Sequence, residues 1–199
     1  MGGDSFSSEE FSGRTVLITG AARGLGREIG QMFHDRGARI ILVDIDNRVE
    51  QTAADIDPES KTAIGKIADL TDDKSVASLR DAVIQEIGDI DTLINNAGAY
   101  APHAIRDISG SDFDERIAIN LKTVFLTTQA FMDSLSSTQC GRVVNIASAD
   151  AYRPKVTNAP YAAAKAGVIS LTKSFAAELA PNVLVNGVSP GPIVTETAK

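Results

Sequence analysis

A short apolar run that ends directly in a glycine-rich turn is the feature that most limits what this chain can fold into. The run from Arg14 to Thr19 is followed by glycines at 20, 24 and 26, and residues 24–36 then carry apolar side chains at helical spacing. A second apolar run, residues 40–43, comes next. A buried strand, a tight turn, a helix and another buried strand in this order predict a βαβ unit.

The same alternation continues along the rest of the chain. Further strands are predicted near residues 62–67, 92–95, 142–146 and 183–188, and further helices near 47–56, 72–87, 111–136 and 159–179. Continuous apolar strands that alternate with helices indicate a parallel sheet covered on both faces. The sequence therefore predicts a three-layer, doubly wound α/β fold with six strands. We expect one domain over residues 13–199, after a flexible leader at 1–12.

Composition and charge exclude several classes of protein. Hydrophobic residues make up 43% of the 199 residues and charged residues 23%, which is typical of a globular protein. The net charge of −7 argues against binding to nucleic acid or anionic lipid. One cysteine, Cys140, and two histidines make a disulfide or a metal site improbable. Without a long apolar run or a signal peptide, the default expectation is a cytoplasmic location and no membrane contact.

The glycine-rich turn predicts a site for a phosphate group. Backbone without side chains at a helix N-terminus lets a phosphate reach the N–H groups, and the helix dipole favours an anion there. The candidate contacts are Gly20, Arg23, Gly24, Leu25 and Gly26. A tight turn that only lets the helix pack on the sheet is the other interpretation. Because the turn follows a strand and opens a helix, it favours a bound nucleotide cofactor.

Acidic residues at two strand ends bear on which nucleotide would bind. Asp44 ends the second strand, where a carboxylate can accept hydrogen bonds from the ribose hydroxyls and would repel a 2′-phosphate, so it favours NAD over NADP. Arg23 favours NADP instead, because a guanidinium could pair with the 2′-phosphate. A solvated acid is the other interpretation of Asp44. Asp69, with Leu70 beside it, could reach the adenine edge or could cap the next helix.

Tyr161 and Lys165 are four residues apart at the start of a predicted helix, so both side chains share one face. A nearby ammonium stabilises a phenolate and is expected to lower the pKa of Tyr161, which would suit proton transfer near neutral pH. Ser148 closes the fifth strand at the edge where doubly wound sheets bind ligands. Its hydroxyl could polarise the same substrate oxygen, and a turn cap is its other interpretation.

Taken together, these motifs resemble the short-chain dehydrogenase/reductase family, in order and spacing, over nearly the whole chain. The matching residues are Thr19-Gly20-x3-Gly24-x-Gly26, Asn95-Asn96-Ala97-Gly98, Asn120, Ser148, Tyr161-x3-Lys165 and Pro190-Gly191-x3-Thr195. The resemblance implies a Rossmann fold. It also implies NAD(P)-dependent interconversion of an alcohol and a ketone or aldehyde.

The resemblance also implies roles for single residues. Tyr161 would be the general acid or base, Lys165 would bind the nicotinamide ribose, Ser148 would hold the substrate oxygen, and Asn120 would position a water that relays protons. Asn96, Ala97 and Gly98 would brace the sheet beside the cofactor. The nicotinamide end would be lined by Pro190, Gly191, Ile193 and Thr195.

A small alcohol or ketone is the expected substrate, facing residues 99–103 and 149–153. By the same resemblance, the helices at 111–136 and 159–179 would join subunits into a dimer or tetramer. Family members usually continue past the Pro-Gly motif through a helical substrate lid and a seventh strand, and both are expected to be absent here. Two other functions stay open: an NADP-dependent carbonyl reductase that uses Arg23, and a catalytically silent nucleotide-binding or assembly protein.

Overall fold

Six parallel strands form the central sheet of residues 9–193, the part of the chain that the structure, a computed structural model, describes. The strands are Thr15–Thr19 (β1), Arg39–Asp44 (β2), Ala63–Ile67 (β3), Thr92–Asn95 (β4), Gly141–Ile146 (β5) and Val183–Val188 (β6). The helices are Gly24–His34 (α1), Arg48–Ile56 (α2), Asp73–Glu86 (α3), Gly110–Ile117 (α4), Thr123–Ser137 (α5) and Ala159–Leu179 (α6).

The strand order creates a crevice at the carboxyl edge of the sheet. The order is β3-β2-β1-β4-β5-β6, so the chain winds outward from β1 in one direction and then from β4 in the other. The connections after β1 and β4 leave on opposite faces, and doubly wound sheets bind their ligands at such a switch point. The fold therefore places a candidate site beyond the ends of β1 and β4.

Alternate residues of the strands enter two separate cores. Leu17, Ile41 and Val43 face a core shared with α3, α5 and α6. Val16, Ile40 and their neighbours face the other core, which they share with α1 and α2. Helices on both faces of a parallel sheet confirm the predicted three-layer α/β fold.

The face of the sheet that packs against α1 and α2 is covered only in part. On β6, Leu184 and Val188 are each 49% exposed, while Val183 and Val185 are buried. The helices on this face, α1 and α2, pack over β1, β2 and β3. The prediction of two covered faces therefore holds for the strands at the centre of the sheet and not for this edge.

The predicted helix at 111–136 is divided into two helices. Residues Ala118–Lys122 form a π-helical turn between α4 and α5, and this turn carries Asn120. The apolar spacing hides this division because a π turn adds one residue without interrupting the helical backbone. The other predicted elements agree with the structure to within a few residues at each end.

The described residues include neither a membrane-spanning helix nor a cluster of metal ligands. In residues 9–193, no helix is both long and apolar enough to cross a membrane. Within the same range, no group of three or more histidine, cysteine or acidic side chains is placed to hold a metal ion.

A glycine on β3 sets how closely α2 approaches the sheet. A Cβ at Gly65 would lie 2.7 Å from the Cα of Glu50 and 2.8 Å from the carbonyl oxygen of Val49. We expect Gly65→Ala to lower the free energy of unfolding by about 2 kcal/mol, because the added methyl group overpacks this contact. Urea denaturation would measure this loss of free energy of unfolding. Gly110→Ala is the control, because a Cβ at Gly110 would have nothing within 4 Å. Equal stability of Gly65→Ala and the wild type would contradict this packing.

Candidate active site at the carboxyl edge of the sheet

The ends of β1 and β4 are held together by the side chains of Thr19 and Asn96. The Thr19 hydroxyl accepts hydrogen bonds from the backbone N–H groups of Asn96 and Ala97, both at 3.0 Å. The Asn96 amide donates to the carbonyl oxygens of Thr19 at 2.9 Å and Gly20 at 3.0 Å. These bonds fix the glycine-rich turn against the end of β4.

The glycines of the turn are required by its geometry. Gly20 has φ +64° and Gly24 has φ +57°, which is the left-handed region. A Cβ at Gly26 would lie 2.3 Å from the carbonyl oxygen of Gly20 and 2.6 Å from the Asn96 amide nitrogen. At the start of α1, Arg23 in the N-cap position makes no side-chain capping hydrogen bond, and the first turn holds no acidic residue. The turn therefore fits a diphosphate, which needs free N–H groups without nearby negative charge.

Asp44 lies next to this turn. Its carboxylate accepts hydrogen bonds from the backbone N–H groups of Ala22 and Asp46, both at 3.0 Å. Arg48 binds the Asp46 carboxylate and lowers its pKa to about 2, and the charge of Arg23 acts in the same direction. Asp44, which favours NAD, and Arg23, which favours NADP, therefore lie around the same turn.

The Asp69 carboxylate does not cap α3, although it has hydrogen-bond partners. Its carboxylate accepts hydrogen bonds from the backbone N–H of Thr71 at 2.9 Å and from the Thr71 hydroxyl at 2.7 Å. The cap of α3 is Asp72, which accepts from the backbone N–H of Ser75 at 3.0 Å. Leu70 is buried in the core. Of the two interpretations of Asp69, the capping one is therefore wrong, and the adenine contact stays a prediction.

A cavity of about 200 Å³ lies beyond the ends of β4 and β5. It is lined by Asn96, Gly98, Ala99, Tyr100, Asn120, Ile146, Ala147, Tyr161 and Lys165. Five of these residues are predicted site residues that are far apart in the sequence. The fold thus brings most of the predicted catalytic set to one small space.

Asn120 is fully buried in the π turn, and its side chain holds the loop after β4. Its amide oxygen accepts a hydrogen bond from the backbone N–H of Ala99 at 3.0 Å. Its amide nitrogen donates to the carbonyl oxygens of Ala99 at 3.1 Å and Arg116 at 3.0 Å. Bonds to both backbone groups of Ala99 fix the cavity wall. The water-positioning role of Asn120 stays a prediction.

Lys165 is 3% exposed, and its ammonium donates a hydrogen bond to the carbonyl oxygen of Ile146 at 2.7 Å. Burial lowers its pKa to about 8, because the charged form loses hydration. The ammonium lies 5.8 Å from the centre of the Tyr161 ring. A Cβ at Gly98 would lie 3.4 Å from this ammonium, so glycine keeps the space beside it open.

The pKa of Tyr161 is raised above its ordinary value, and this corrects the expected direction. Burial of the phenol is the main cause, and the negative charge of Asp150 adds to it. The nearby Ser148 hydroxyl lowers the pKa but is outweighed. The expectation of a lowered pKa was wrong for this arrangement because it counted the ammonium of Lys165 and left out the desolvation of the phenol.

Ser148 caps a turn, as one of its two interpretations predicts, and its contact with a substrate oxygen stays a prediction. Its hydroxyl oxygen accepts a hydrogen bond from the backbone N–H of Asp150 at 3.1 Å, which caps the short helical turn Ala149–Ala151. The same hydroxyl lies near enough to the Tyr161 phenol to act on its pKa. A hydroxyl that accepts from one group still has a proton to donate to another.

The residues that were predicted to line the nicotinamide end do not all lie at the cavity. The carbonyl oxygen of Pro190 accepts a hydrogen bond from the backbone N–H of Ala149 at 2.9 Å, so Pro190 lies next to the Ser148 turn. Gly191 and Ile193 are exposed and do not line the cavity. Thr195 lies outside the described residues.

Several residues of the site carry no strong signal in the sequence. Thr19 braces the crevice, and the backbone of Ile146 holds Lys165. Tyr100, which the sequence assigns only to a substrate-facing loop, lies edge-on to the Tyr161 ring with 5.4 Å between the ring centres. Asn158 is a buried partner of Asp150. An asparagine directly before a helix was the one available signal, and it indicates a cap rather than this contact.

The buried ammonium of Lys165 makes stability depend on pH. Its pKa is lower in the folded chain than in the unfolded chain, so folding carries a penalty below about pH 8 that disappears as the pH rises towards 10.5. We expect the wild type to gain up to about 3 kcal/mol relative to Lys165→Met over this window. Denaturation of both proteins at about pH 7 and about pH 9.5 would measure the difference.

The matched control for this measurement is Lys173→Met, which removes an exposed ammonium from the same helix. If Lys165→Met and Lys173→Met differed from the wild type by amounts with the same pH dependence, the buried ammonium would not be the cause.

Comparison with known proteins agrees with this geometry. The family model for short chain dehydrogenases matches residues 14–199. A (2S)-((R)-hydroxy(phenyl)methyl)succinyl-CoA dehydrogenase subunit of Thauera aromatica is 38% identical over 184 residues, covering 92% of this chain and 74% of that protein. A 3-oxoacyl-(acyl-carrier-protein) reductase of Salmonella typhimurium is 33% identical, and the match covers 95% of this chain and 77% of that protein.

Among solved structures, the ligand-free aldohexose dehydrogenase of Thermoplasma acidophilum is similar in fold. Its TM-score is 0.86 at 27% identity, and the match covers 96% of this chain and 71% of that one. The glycine-rich turn, the cavity and the match over residues 14–199 lead to one conclusion. The chain belongs to the short-chain dehydrogenase/reductase family of NAD(P)-binding oxidoreductases.

Proposed function

We propose that this protein transfers a hydride between NAD(H) and a small to medium secondary alcohol or ketone, with Tyr161 as the general acid and base. The observation that carries the proposal is the convergence of three groups beyond the ends of β4 and β5. Tyr161 and Lys165 line one cavity there, with the buried ammonium 5.8 Å from the centre of the phenol ring, and the hydroxyl of Ser148 acts on the pKa of the phenol. Two adjoining hydroxyls next to a cation suit a substrate oxygen that gains negative charge.

The proposed proton transfer depends on the hydroxyls of Ser148 and Tyr161. In the reducing direction, Ser148 and Tyr161 would both donate hydrogen bonds to the carbonyl oxygen, and Tyr161 would give up its proton as negative charge develops there. In the oxidising direction, the Tyr161 phenolate would accept the alcohol proton. Because its raised pKa keeps Tyr161 protonated at neutral pH, the chain alone favours the donating role. A bound nicotinamide would supply or accept the hydride.

Lys165 and Asn120 would support this exchange. Lys165 has a pKa near 8, so its ammonium can lose and regain a proton close to neutral pH. In the proposed arrangement Lys165 also binds the nicotinamide ribose. Asn120 keeps the Ala99 loop at a fixed distance from Lys165 and would hold a relay water beside it.

The cofactor would lie along the carboxyl edge of the sheet. The turn formed by Gly20, Arg23, Gly24, Leu25 and Gly26 would hold the diphosphate, and Asp44 would bind the adenosine ribose. Asp69 and Leu70 would lie at the adenine. The nicotinamide half would contact Asn96, Ala97, Gly98, Pro190, Gly191, Ile193 and Thr195. Support comes from the uncapped start of α1 and from the closeness of Asp44 to Ala22.

We also propose assembly into a homo-oligomer through the helices around the π turn. An apolar groove of about 410 Å³ runs between this turn and α6, lined by Ile117, Leu121, Lys122, Phe125, Gly167, Ser170 and Leu171. Phe125 is exposed although it is a large apolar side chain. A second copy would cover this surface. The cytoplasmic location and the single domain over 13–199 stay predictions from the sequence.

One specific observation supports an NADP-dependent reductase as the second candidate. Arg23 and Arg48 both act on the charge of Asp46, so two guanidinium groups lie near the predicted ribose end. A 2′-phosphate could pair with them if Asp44 turned away.

The charge of Asp44 provides the test between NAD and NADP. We expect Asp44→Ala to weaken NADH binding about tenfold or more and to leave NADPH binding unchanged or stronger, because a ribose acceptor and a negative charge are removed together. Calorimetric titration with each nucleotide would measure this. Asp44→Asn removes the charge and keeps one of the two acceptor oxygens that bind the backbone N–H groups of Ala22 and Asp46. Asp133→Ala, at an exposed position on α5, is the control.

The opposite pattern would support the second candidate. If NADPH bound more tightly to the wild type than NADH, and Arg23→Ala rather than Asp44→Ala removed that binding, the NAD assignment would be wrong.

Loss of the phenol tests the catalytic assignment. We expect Tyr161→Phe to reduce turnover at least about a hundredfold with a panel of short secondary alcohols and ketones, while the affinity for NADH stays within about twofold. Absorbance of NADH would follow turnover, and calorimetry would measure binding. Ser78→Ala is the control, because it removes an exposed hydroxyl on α3, away from the site. Unchanged turnover in Tyr161→Phe would overturn the mechanism, and NADH binding without any turnover in the wild type would favour the silent nucleotide-binding role.

A further inference from the structure

Arg116, near the end of α4, holds the loop after β4, residues 99–103, and the mechanism above gives it no role. Its guanidinium donates a hydrogen bond to the carbonyl oxygen of Ala101 at 2.7 Å and lies 3.1 Å from the Nδ1 atom of His103. Its own carbonyl oxygen accepts a hydrogen bond from Asn120, the residue that binds both backbone groups of Ala99. Arg116 therefore connects the π turn to the outer part of the loop.

The loop after β4 forms one wall of the candidate cavity. Tyr100 lines the cavity and lies edge-on to the Tyr161 ring, with 5.4 Å between the ring centres. At the outer end of the loop, the backbone N–H of His103 donates to the carbonyl oxygen of Thr157 at 2.8 Å. The position of Tyr100 against Tyr161 therefore depends on what holds the loop residues that follow Tyr100.

The contact between Arg116 and His103 requires a neutral histidine ring. A guanidinium has N–H donors and no acceptor, so the Nδ1 atom of His103 must accept the hydrogen bond and the ring proton must lie on Nε2. A second proton on the ring would turn Nδ1 into a donor that faces another donor. It would also place two positive charges 3.1 Å apart.

The guanidinium of Arg116 has little else to hold it. Within the described residues, its Nε atom is buried and has no hydrogen-bond partner. The two Nη atoms make the contacts with Ala101 and His103. Loss of the bond to His103 would therefore leave the bond to Ala101 as the side-chain contact between α4 and this part of the loop.

His34, the other histidine of the chain, makes the opposite kind of contact. Its Nε2 atom lies 2.9 Å from the Thr62 hydroxyl, and this hydroxyl donates its own proton to the Asp57 carboxylate at 2.9 Å. The Nε2 atom of His34 must therefore be the donor. A second proton on the His34 ring would break neither of these bonds.

We propose that Arg116 is a positioning residue for the cavity wall: its guanidinium holds residues 101–103 while His103 is neutral, and uptake of a proton by His103 releases them. The catalytic meaning of this contact rests on the proposed function. The contact itself does not, because it belongs to the folded chain without cofactor or substrate.

The other charged groups near His103 come first from α4. Arg116 keeps its charge at any pH at which the chain is folded. Hydrogen bonds from the hydroxyl and the backbone N–H of Ser109 lower the pKa of Asp112, and the charges of Arg116 and His103 act in the same direction. Asp112 therefore stays ionised above about pH 5.

The remaining neighbours lie in the next helical turn and in the segment before α6. Arg106 and Asp107 follow the loop and are exposed. Thr157 presents its carbonyl oxygen, and the Lys155 ammonium lies 3.7 Å from the Asp150 carboxylate. Of these residue types and histidine, histidine alone ordinarily changes its charge between about pH 5 and pH 8.

Acid should therefore loosen the outer part of the loop. We expect the protection of the backbone N–H at position 103 against exchange with water to fall about fivefold between about pH 7.5 and about pH 5.5, the effect of losing one hydrogen bond. His103→Asn places an acceptor oxygen near the position of Nδ1 and does not titrate, so its protection should be the same at both pH values. Arg116→Met should have the lower protection at both.

The measurement is amide exchange by NMR on the whole chain without ligands, with each rate divided by that of an unfolded chain at the same pH. The ring signals of His103 show when it has taken up its proton, and the lower pH is set below that point. The amide of Leu93, which is fully buried on β4, reports global unfolding.

Two substitutions serve as controls. His34→Gln removes the other histidine, and Arg39→Met removes an exposed arginine at the start of β2. Both should keep the fivefold fall at position 103.

His103 is exposed, so His103→Asn tests the contact even if Arg116→Met does not fold. A fall in the wild type that is absent in His103→Asn is the expected result. The inference would be overturned by an equal fall in both proteins, by no fall in the wild type once the His103 ring is protonated, or by an equal fall at Leu93.

Turnover separates this inference from the proposed function. If the chain reduces ketones, acid should raise the KM for the ketone more in the wild type than in His103→Asn, while the KM for NADH changes equally in both. An equal rise in the KM for the ketone would overturn the positioning role. If the exchange rates behave as expected and no protein shows turnover, the contact of Arg116 with His103 stands and the proposed function fails.

Discussion

The distance between the ends of β1 and β4 is the constraint on which the candidate site depends. Thr19 and Asn96 exchange hydrogen bonds across this gap, and Gly26 lets α1 begin so close to it that a single methyl group would collide with the backbone. A crevice of fixed width with free N–H groups on one side can hold a diphosphate. The bonds that join β1 and β4 at this point are therefore the bonds that shape the candidate cofactor site.

Burial, more than any single ion pair, sets the pKa values of Lys165 and Tyr161, the two groups proposed to be catalytic. Lys165 has left solvent with a carbonyl oxygen as its hydrogen-bond partner, and its pKa falls to about 8. Tyr161 is partly buried, and its pKa rises for the same physical reason, since a charged form is disfavoured in each case. The two proton affinities thus move apart, so that the Lys165 ammonium loses its proton at a lower pH than the Tyr161 phenol does.

The elements of the fold were largely predictable because their signals are local. Buried strands such as β1 and β4 are short apolar runs, and α6 has the helical pattern over its whole predicted length. The π turn at Asn120 was missed, because its extra residue is stabilised by the contact of Asn120 with Ala99, which lies 21 residues earlier. The open face of β6 was missed as well, since apolar content does not reveal which strand a helix will cover.

The sequence by itself determined the parallel α/β fold, the glycine-rich turn and the identity of the residues at the carboxyl edge, because apolar periodicity and glycine spacing act over a few neighbouring residues. Only the tertiary structure decided the direction of the pKa of Tyr161, the bonds of Asn120 to Ala99 and the bond of Lys165 to the carbonyl oxygen of Ile146. These depend on desolvation and on partners distant in the chain, and both exist only once the sheet and its helices have come together.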